Sequence, residues 1–299
     1  MIKAVIDIGK NSIKLSMAEV SASSVRMIKD INEITKLGSG MREHGTLTEE
    51  AIARSLSCVE RYAAKARSCN ADSIVIIGTM ALRSAKNAAD FIRLVKERTG
   101  IEIRVLSGEE EADLSFKAAL TAVPAAASAL AVSFDAGGGS TEFVVGRCGV
   151  IIAQKSLNIG AIRLTEDYFL KTPLTAAALK AAQNAITAEI AKSGISASGA
   201  ALIGMGGNIT SMASVKLGLD EYRADLVSGT VLTREEVDRQ IELYAFSESG
   251  SRRKIRGLDP RRAEIITAGA CIVRAAMDLC CADCVTVNDS GLRHMLLTE

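Results

Sequence analysis

Tryptophan is absent from this chain of 299 residues, which has only 4 Tyr and 6 Phe. Proteins that bind single-stranded nucleic acid usually stack the bases on aromatic rings, so the composition argues against that class. The chain also lacks an excess of one charge, because 36 Lys and Arg nearly balance 35 Asp and Glu and leave a formal net charge of +1. The whole protein therefore has no field that would attract nucleic acid or an anionic membrane. An anionic ligand would have to be held by a local site.

Long apolar segments and metal-binding clusters are also scarce. Asp7 interrupts the apolar start of the chain before it reaches the length of a signal-peptide core. The longest uncharged stretch, Ala118–Phe134, is rich in Ala and lacks the Leu and Ile density of a membrane span. The 7 Cys are irregularly spaced, and with only 2 His the pair Cys281 and Cys284 has no second ligand pair for zinc. We expect a cytoplasmic protein with reduced cysteines.

Short β-rich runs alternate with longer helical patterns, as where Ser73–Thr79 precedes Ala85–Arg98. This alternation predicts α/β layers with partly parallel sheets. The length predicts two domains, residues 1–124 and 125–299, and one large domain is the alternative. The boundary falls in the segment Thr121–Ala129, which contains Ala and Pro. The last helix is expected to pack back on the first domain.

An internal repeat supports two related domains. Ala4–Met17 aligns without gaps on Val132–Val145, and both read as an apolar strand, the pattern Asp-x-Gly-x-x-Ser and a second strand. A turn signal between two apolar strands predicts a β-hairpin, so each domain is expected to open with the same hairpin. The matched residues are Asp7 with Asp135, Gly9 with Gly137, and Ser12 with Ser140.

Glycine-rich turns in this chain predict phosphate binding. The turn from Gly137 to Ser140 would let backbone N–H groups approach an anion without a Cβ in the way. An Asp at the junction of strand and turn predicts Mg²⁺ coordination, partly through water. A single such Asp more often caps its own turn, but the duplicated placement favours the metal. A third turn, Gly204–Thr210, stands between a strand and a helix start, where anions also bind.

Two charged residues follow predicted strands. Arg83 lies just beyond a strand end, where it would serve either as a bidentate phosphate clamp or in a surface ion pair. Ser107 and Glu110 fit a capping box, which is a structural motif. The motif leaves Glu111 available to deprotonate water for the hydrolysis of a phosphoanhydride, a task for which His is too scarce here.

A basic cluster stands out in this nearly neutral chain, formed by Arg252, Arg253, Lys254, Arg256, Arg261 and Arg262. The simpler interpretation is a solvated loop followed by a helix start. The alternative is a groove for a long polyanion.

Taken together, the motifs resemble the exopolyphosphatase and guanosine pentaphosphate phosphohydrolase (Ppx/GppA) family of the actin-like ATPase (ASKHA) superfamily. The matching segments occur in the family's order and span nearly the whole chain: Asp7–Ser12, Thr79–Asn87, Ser107–Ala112, Asp135–Glu142, Leu157–Glu166, Gly204–Thr210 and Gly257–Ile266. The resemblance implies an α/β fold of two ribonuclease-H-like domains with a cleft between them. Family habit suggests a homodimer.

The resemblance also implies roles for individual residues. Glu111 matches the family's proposed general base, and Arg83 matches a phosphate-contacting arginine. Asp135 and Glu142 match carboxylates associated with Mg²⁺, to which the repeat adds Asp7. The predicted substrate-binding residues are Lys10, Asn11, Ser12, Gly138, Gly139, Ser140, Thr141, Gly206, Gly207 and Asn208.

Three residues depart from the family pattern. Lys10 replaces a usual Ser and would either strengthen phosphate binding or fill the site. Asn208 replaces a usual Thr, and Asp113 replaces a common Arg. Because longer family members carry a C-terminal helical extension, we expect this chain to lack that HD-like part and to be less processive on long polymers.

The predicted function is hydrolysis of the terminal phosphoanhydride of inorganic polyphosphate, with Mg²⁺ and release of orthophosphate. The alternative substrate is guanosine pentaphosphate (pppGpp), which the sequence does not separate from polyphosphate. A non-catalytic phosphate or nucleotide sensor is an alternative of another class, motivated by Lys10 and Asp113. An actin-like sugar kinase is a weaker reading, since no acceptor-binding region is evident.

Overall fold

The computed structural model describes residues 1–21, 24–124, 126, 129–195 and 197–299. The chain forms two compact units: unit 1 is Met1–Ser115 with Leu292–Glu299, and unit 2 is Phe116–Gly291. The predicted boundary segment Thr121–Ala129 lies partly outside the described residues, and a division after residue 124 stays a prediction. In the described ranges, no helix combines the length and apolar character needed to span a bilayer.

Unit 1 is built on a five-stranded sheet of order β3-β2-β1-β4-β5. Its strands are β1 Ile2–Ile8, β2 Ser12–Val20, β3 Val25–Ile34, β4 Ser73–Gly78 and β5 Ile103–Val105. The strands β1, β2 and β3 form an antiparallel meander, whereas β4 runs parallel to both β1 and β5. Its helices are α1 Met41–His44, α2 Glu49–Ser68, α3 Met80–Ser84, α4 Ala88–Thr99, α5 Gly108–Thr121, which continues into unit 2, and the C-terminal α13 Leu292–Thr298.

Alternation along the strands of unit 1 supplies apolar side chains to both faces of its sheet. Ile6 and Ile8 of β1 belong to a core that includes Val59 of α2. Val5, one position away, faces the other side and belongs to a second core with Leu296 of α13. Burial on both faces is typical of a sheet with parallel strands, and it fixes the register of β1.

Unit 2 is built on a six-stranded sheet of order β10-β11-β9-β6-β7-β8. Its strands are β6 Leu130–Ala136, β7 Thr141–Arg147, β8 Val150–Leu157, β9 Ala201–Met205, β10 Val231–Thr233 and β11 Cys284–Val287. Its helices are α6 Ala161–Tyr168, α7 Ala176–Ala191, α8 Gly207–Leu217, α9 Ala224–Val227, α10 Arg234–Ala245, α11 Ser249–Arg252 and α12 Ile266–Leu279. Most of α12 is buried in the main core of the unit.

Both sheets share one order of strands. In each, an antiparallel meander of three strands comes first. The first strand of the meander pairs in parallel with the fourth strand, which pairs in parallel with the last strand of the sheet. Unit 2 adds the short β10 at its edge. The duplicated order confirms the predicted α/β fold class and the predicted duplication of the opening hairpin.

Arg252 shows that the basic cluster is not a uniformly solvated loop. This side chain is only 2% exposed, and its Nη1 donates to Thr267 Oγ1 at 3.0 Å. Its Nε has no hydrogen-bond partner among the residues that the structure describes, and burial lowers the pKa of Arg252. Arg253 and Arg256, by contrast, form exposed ion pairs. The interpretation of a solvated segment was therefore wrong for Arg252.

We expect Arg252→Met to keep or raise the melting temperature of the protein. Methionine retains the apolar stem and removes a buried charge whose desolvation costs free energy and whose Nε has no hydrogen-bond partner within the described ranges. Thermal unfolding of both proteins measures the effect. Arg252→Ala is the control and should lower the melting temperature, because it leaves a cavity. An equal loss in both variants would mean that the guanidinium itself stabilises unit 2.

Candidate active site

The carboxyl ends of the parallel strands of unit 1 meet at one edge of its sheet. Thr79 N donates to Ile8 O at 3.4 Å, and Leu106 N donates to Gly78 O at 2.9 Å, so the ends of β1, β4 and β5 are joined. Ligands of open α/β sheets bind at this edge. Three predicted site residues lie at these ends, namely Asp7, Arg83 and Glu111.

The first hairpin turn is fixed by its own carbonyl groups. Gly9 N donates to Ser12 O at 3.0 Å, Thr35 N donates to Asn11 O at 3.1 Å, and the carbonyl of Lys10 accepts from Gly38 N at 2.8 Å. The methylenes of Lys10 lie over Gly38, since a Cβ added there would stand 2.3 Å from Lys10 Cγ. Lys10 and Asn11 are exposed at the tip of the turn.

Arg83 and Glu111 are in direct contact. Arg83 Nη1 donates to Glu111 Oε2 at 2.7 Å and to Leu106 O at 2.8 Å. The predicted capping box is confirmed, because Ser107 N donates to Glu110 Oε2 at 2.8 Å and Glu110 N donates to Ser107 Oγ at 3.0 Å. The box fixes the first turn of α5, from which the Glu111 carboxylate reaches Arg83. The ion pair considered for Arg83 is thus formed with the predicted base itself.

Asp7 has cationic neighbours. It lies opposite Lys14 in the register of β1 and β2. Burial raises the pKa of Asp7, while Lys14 and Arg293 act in the opposite direction and Glu111 adds to the rise. Arg293 of α13 also forms an ion pair with Asp30 on β3. The effect of burial therefore outweighs that of the two basic groups, and the pKa of Asp7 lies above its ordinary value.

The second hairpin turn repeats the backbone geometry of the first. Gly137 N donates to Ser140 O at 2.9 Å. Asp135 and Glu142 are direct partners in the register of β6 and β7, so both carboxylates project from one face of the sheet. Glu142 Oε1 accepts hydrogen bonds from Ser140 Oγ at 2.6 Å and from Ser156 Oγ at 2.9 Å. The predicted pair of carboxylates is thus brought together.

The start of α6 supports the second turn. Ala161 N donates to Gly137 O at 2.9 Å. Gly160 lies against the backbone of the turn, because a Cβ added there would stand 2.3 Å from Gly138 O and 2.4 Å from Gly139 N. The sequence predicted the turn but not this dependence on a glycine outside it.

The third glycine-rich turn lies between two charged groups. Gly206 has a φ of +84° and precedes α8. A Cβ on Gly206 would stand 2.1 Å from Asp135 Oδ1, and a Cβ on Gly207 would stand 1.8 Å from Arg262 Nη2. Arg262 was predicted only as a member of the basic cluster, and its sequence distance from the turn gives no signal of this contact.

Two predicted substrate-binding residues lie inside unit 2. Thr141 is fully buried, and its hydroxyl donates to Ile159 O at 2.6 Å. Asn208 is 2% exposed, and its Nδ2 donates to Ala136 O at 2.6 Å. Asn208 Oδ1 has no hydrogen-bond partner within the described ranges. Both side chains are thus buried and donate to backbone carbonyl groups next to the turns.

The second hairpin fits a magnesium ion better than the first does. Mg²⁺ in proteins is usually bound by one or two carboxylates, with water and substrate phosphates as the other ligands. Asp135 and Glu142 supply two carboxylates from one face, whereas Lys14 stands opposite Asp7 at the position that Glu142 has in the repeat. No group of three or more His, Cys, Asp or Glu residues that could hold a metal occurs in the described part of the chain. Asp135 and Glu142 therefore fit a Mg²⁺ ion that keeps several water ligands.

The duplicated fold and its glycine turns, with carboxylates at the strand ends, define a protein suited to phosphorylated anions. The model of the Ppx/GppA phosphatase family matches residues 16–299. The chain belongs to this family, as the sequence resemblance predicted.

Three relatives illustrate the similarity. The chain is 32% identical to the bifunctional 3-dehydroquinate synthase/phosphatase of Fusobacterium nucleatum, over 97% of this chain and 45% of that protein. It is 30% identical to the guanosine-5'-triphosphate,3'-diphosphate pyrophosphatase of Photobacterium profundum, over 99% of this chain and 58% of that protein. A Haemophilus influenzae protein named "Putative exopolyphosphatase" is 24% identical, over 97% of this chain and 88% of that protein. The chain spans about half the length of the first two relatives.

A solved structure supports the fold. The crystal structure of the type II variant of the Aquifex aeolicus Ppx/GppA phosphatase matches with a TM-score of 0.91 at 30% identity, covering 100% of this chain and 99% of that chain. Together with the shared order of both sheets, this match confirms the predicted α/β fold with two related units.

Proposed function

We propose that the protein hydrolyses the terminal phosphoanhydride of inorganic polyphosphate and releases orthophosphate. The observation that carries this proposal is the contact of Arg83 with Glu111 at the strand edge of unit 1. It places a phosphate-binding type of side chain beside a carboxylate that can accept a proton from water. Membership of a phosphatase family supports the same chemistry.

In this proposal Glu111 removes a proton from the attacking water. The water oxygen bonds to the terminal phosphorus, the bond from phosphorus to the bridging oxygen breaks, and the electron pair leaves with the shortened chain. Arg83 and the backbone N–H groups of Asn11, Ser12 and Gly138–Ser140 bind phosphate oxygens. Phosphoryl transfer depends chiefly on such positioning and charge stabilisation.

Asp135 and Glu142 would hold Mg²⁺, which when bound offsets the charge of the phosphates. A further contribution of Asp7 to the metal stays a prediction. Gly206 and Gly207, at the start of α8, are proposed to bind another phosphate at the helix terminus.

Guanosine pentaphosphate is the second candidate substrate. The specific observation in its favour is the Photobacterium relative, which is 30% identical over 99% of this chain and is named for a guanosine triphosphate diphosphate. Its terminal bond is also a phosphoanhydride, so the same residues would serve. The sensor alternative would bind these ligands and leave them intact.

The decisive experiment measures orthophosphate release from tripolyphosphate, long-chain polyphosphate, pppGpp and ATP at fixed Mg²⁺. We expect release from polyphosphate and its loss when EDTA removes the metal. Release from pppGpp alone would replace the first candidate by the second. Thermal stabilisation by these ligands without release would favour a sensor. Absence of both release and stabilisation would refute a phosphoanhydride site.

A further inference from the structure

The hydrogen-bond donors of Arg83 fall into two sets: Nη1, which has protein partners, and the pair of Nε and Nη2. Nη1 carries two hydrogens, and it donates to Leu106 O at 2.8 Å and to Glu111 Oε2 at 2.7 Å. Neither Nε nor Nη2 has a hydrogen-bond partner in the part of the chain that the structure describes. Three guanidinium hydrogens therefore stay available while Nη1 holds the carboxylate.

We propose that Arg83 is a bridge that positions the base: Nη1 fixes the Glu111 carboxylate while Nε and Nη2 bind the terminal phosphoryl group. This inference rests on the proposed function. A guanidinium is a rigid plane, so a phosphate on one edge and a carboxylate on another are held at a fixed separation. The carbonyl of Leu106, at the end of β5, anchors the plane to the sheet.

The burial of the pair suits this task. The side chain of Arg83 is 27% exposed and that of Glu111 is 32% exposed, so both are shielded but a ligand can still reach them. Glu111 is also restrained at its backbone, because its N–H donates to Ser107 O at 3.0 Å. The base is thus held at both its main chain and its carboxylate before the substrate binds.

If Arg83 positions the base, its substitution should lower kcat as well as weaken substrate binding. A Lys at this position keeps the positive charge, but its single ammonium does not reproduce the two-edged geometry. A misplacement of about 1 Å at a reacting group can cost about 10²-fold in rate. We therefore expect Arg83→Lys to lower kcat about 100-fold with a change of KM no larger than about threefold.

The test is steady-state hydrolysis of tripolyphosphate, or of pppGpp if only that compound is hydrolysed. Arg262→Lys is the matched control, since Arg262 lies at the third turn and is expected to alter KM with little change in kcat. Guanidinium ion added to Arg83→Ala should restore part of its kcat. A rise of KM in Arg83→Lys with kcat unchanged would overturn the bridge and leave Arg83 as a simple phosphate clamp.

A double variant separates this inference from the proposed function. If Arg83 acts on kcat through Glu111, then Arg83→Lys with Glu111→Gln should be no slower in kcat than Glu111→Gln alone. Multiplied losses would show independent action and would overturn the bridge. Full activity of Glu111→Gln by itself would instead remove the proposed base. Melting temperatures within about 2 °C of the wild type are expected for Arg83→Lys, because the pair contributes modestly to stability.

Discussion

Gly160→Ala is expected to disrupt the second hairpin turn and to remove the proposed activity with it. The added Cβ would stand 2.3 Å from Gly138 O and 2.4 Å from Gly138 C. These are backbone atoms of a turn whose carbonyl groups are already bonded to the start of α6, so they cannot move aside as a flexible side chain would. The cost of such overpacking is about 3 kcal/mol. In a protein of this size that cost lowers the melting temperature by about 5–10 °C.

The backbone conformation makes this test a purely steric one. Gly160 has a φ of −142° and a ψ of 156°, an extended conformation that alanine adopts readily. Gly139→Ala is the matched control, because no atom lies within 4 Å of its added Cβ although it belongs to the same turn. Thermal unfolding should leave Gly139→Ala near the wild type. A stable and active Gly160→Ala protein would contradict the packing of α6 on the turn.

The features that the sequence predicted correctly depend on residues that lie close together in the chain. The two hairpins follow from apolar strands on both sides of Asp-x-Gly-x-x-Ser, and the structure closes them with equivalent bonds, Gly9 N to Ser12 O and Gly137 N to Ser140 O. The capping box of Ser107 and Glu110 needs only residues three apart. The charge difference between the hairpins was not predicted, although Lys14 aligns with Glu142 in the repeat.

The features that were missed depend on the surroundings. The strands β3, β8 and β10 were not predicted, because all three lie at sheet edges with most residues exposed and show no apolar alternation. Arg252 is buried and donates to Thr267 of α12, and Arg262 lies against Gly207. Thr141 resembles a phosphate ligand by position, yet its register in β7 turns the hydroxyl inward to a carbonyl. Such outcomes depend on contacts between residues far apart in the sequence.

Glu111→Gln is expected to lower kcat by about 10²–10⁴-fold, the usual contribution of a general base. Glutamine keeps the length and the acceptor oxygen of the side chain, so Arg83 Nη1 still has its partner. The amide does not take a proton from water, and only the chemical step should suffer. Orthophosphate release under saturating tripolyphosphate measures kcat, and the protection of the variant by the same ligand in thermal unfolding measures binding.

Glu109→Gln supplies the matched control for this loss. Glu109 is exposed in the first turn of α5, two positions before Glu111, and it carries the same charge. Its replacement removes one negative charge from the same helix turn. Activity near the wild type is therefore expected if Glu111 acts as a base through its position and not only through its charge. Equal losses in both variants would point to the potential at the start of the helix. Undiminished release by Glu111→Gln would remove Glu111 from the reaction and leave its contact with Arg83 a structural ion pair.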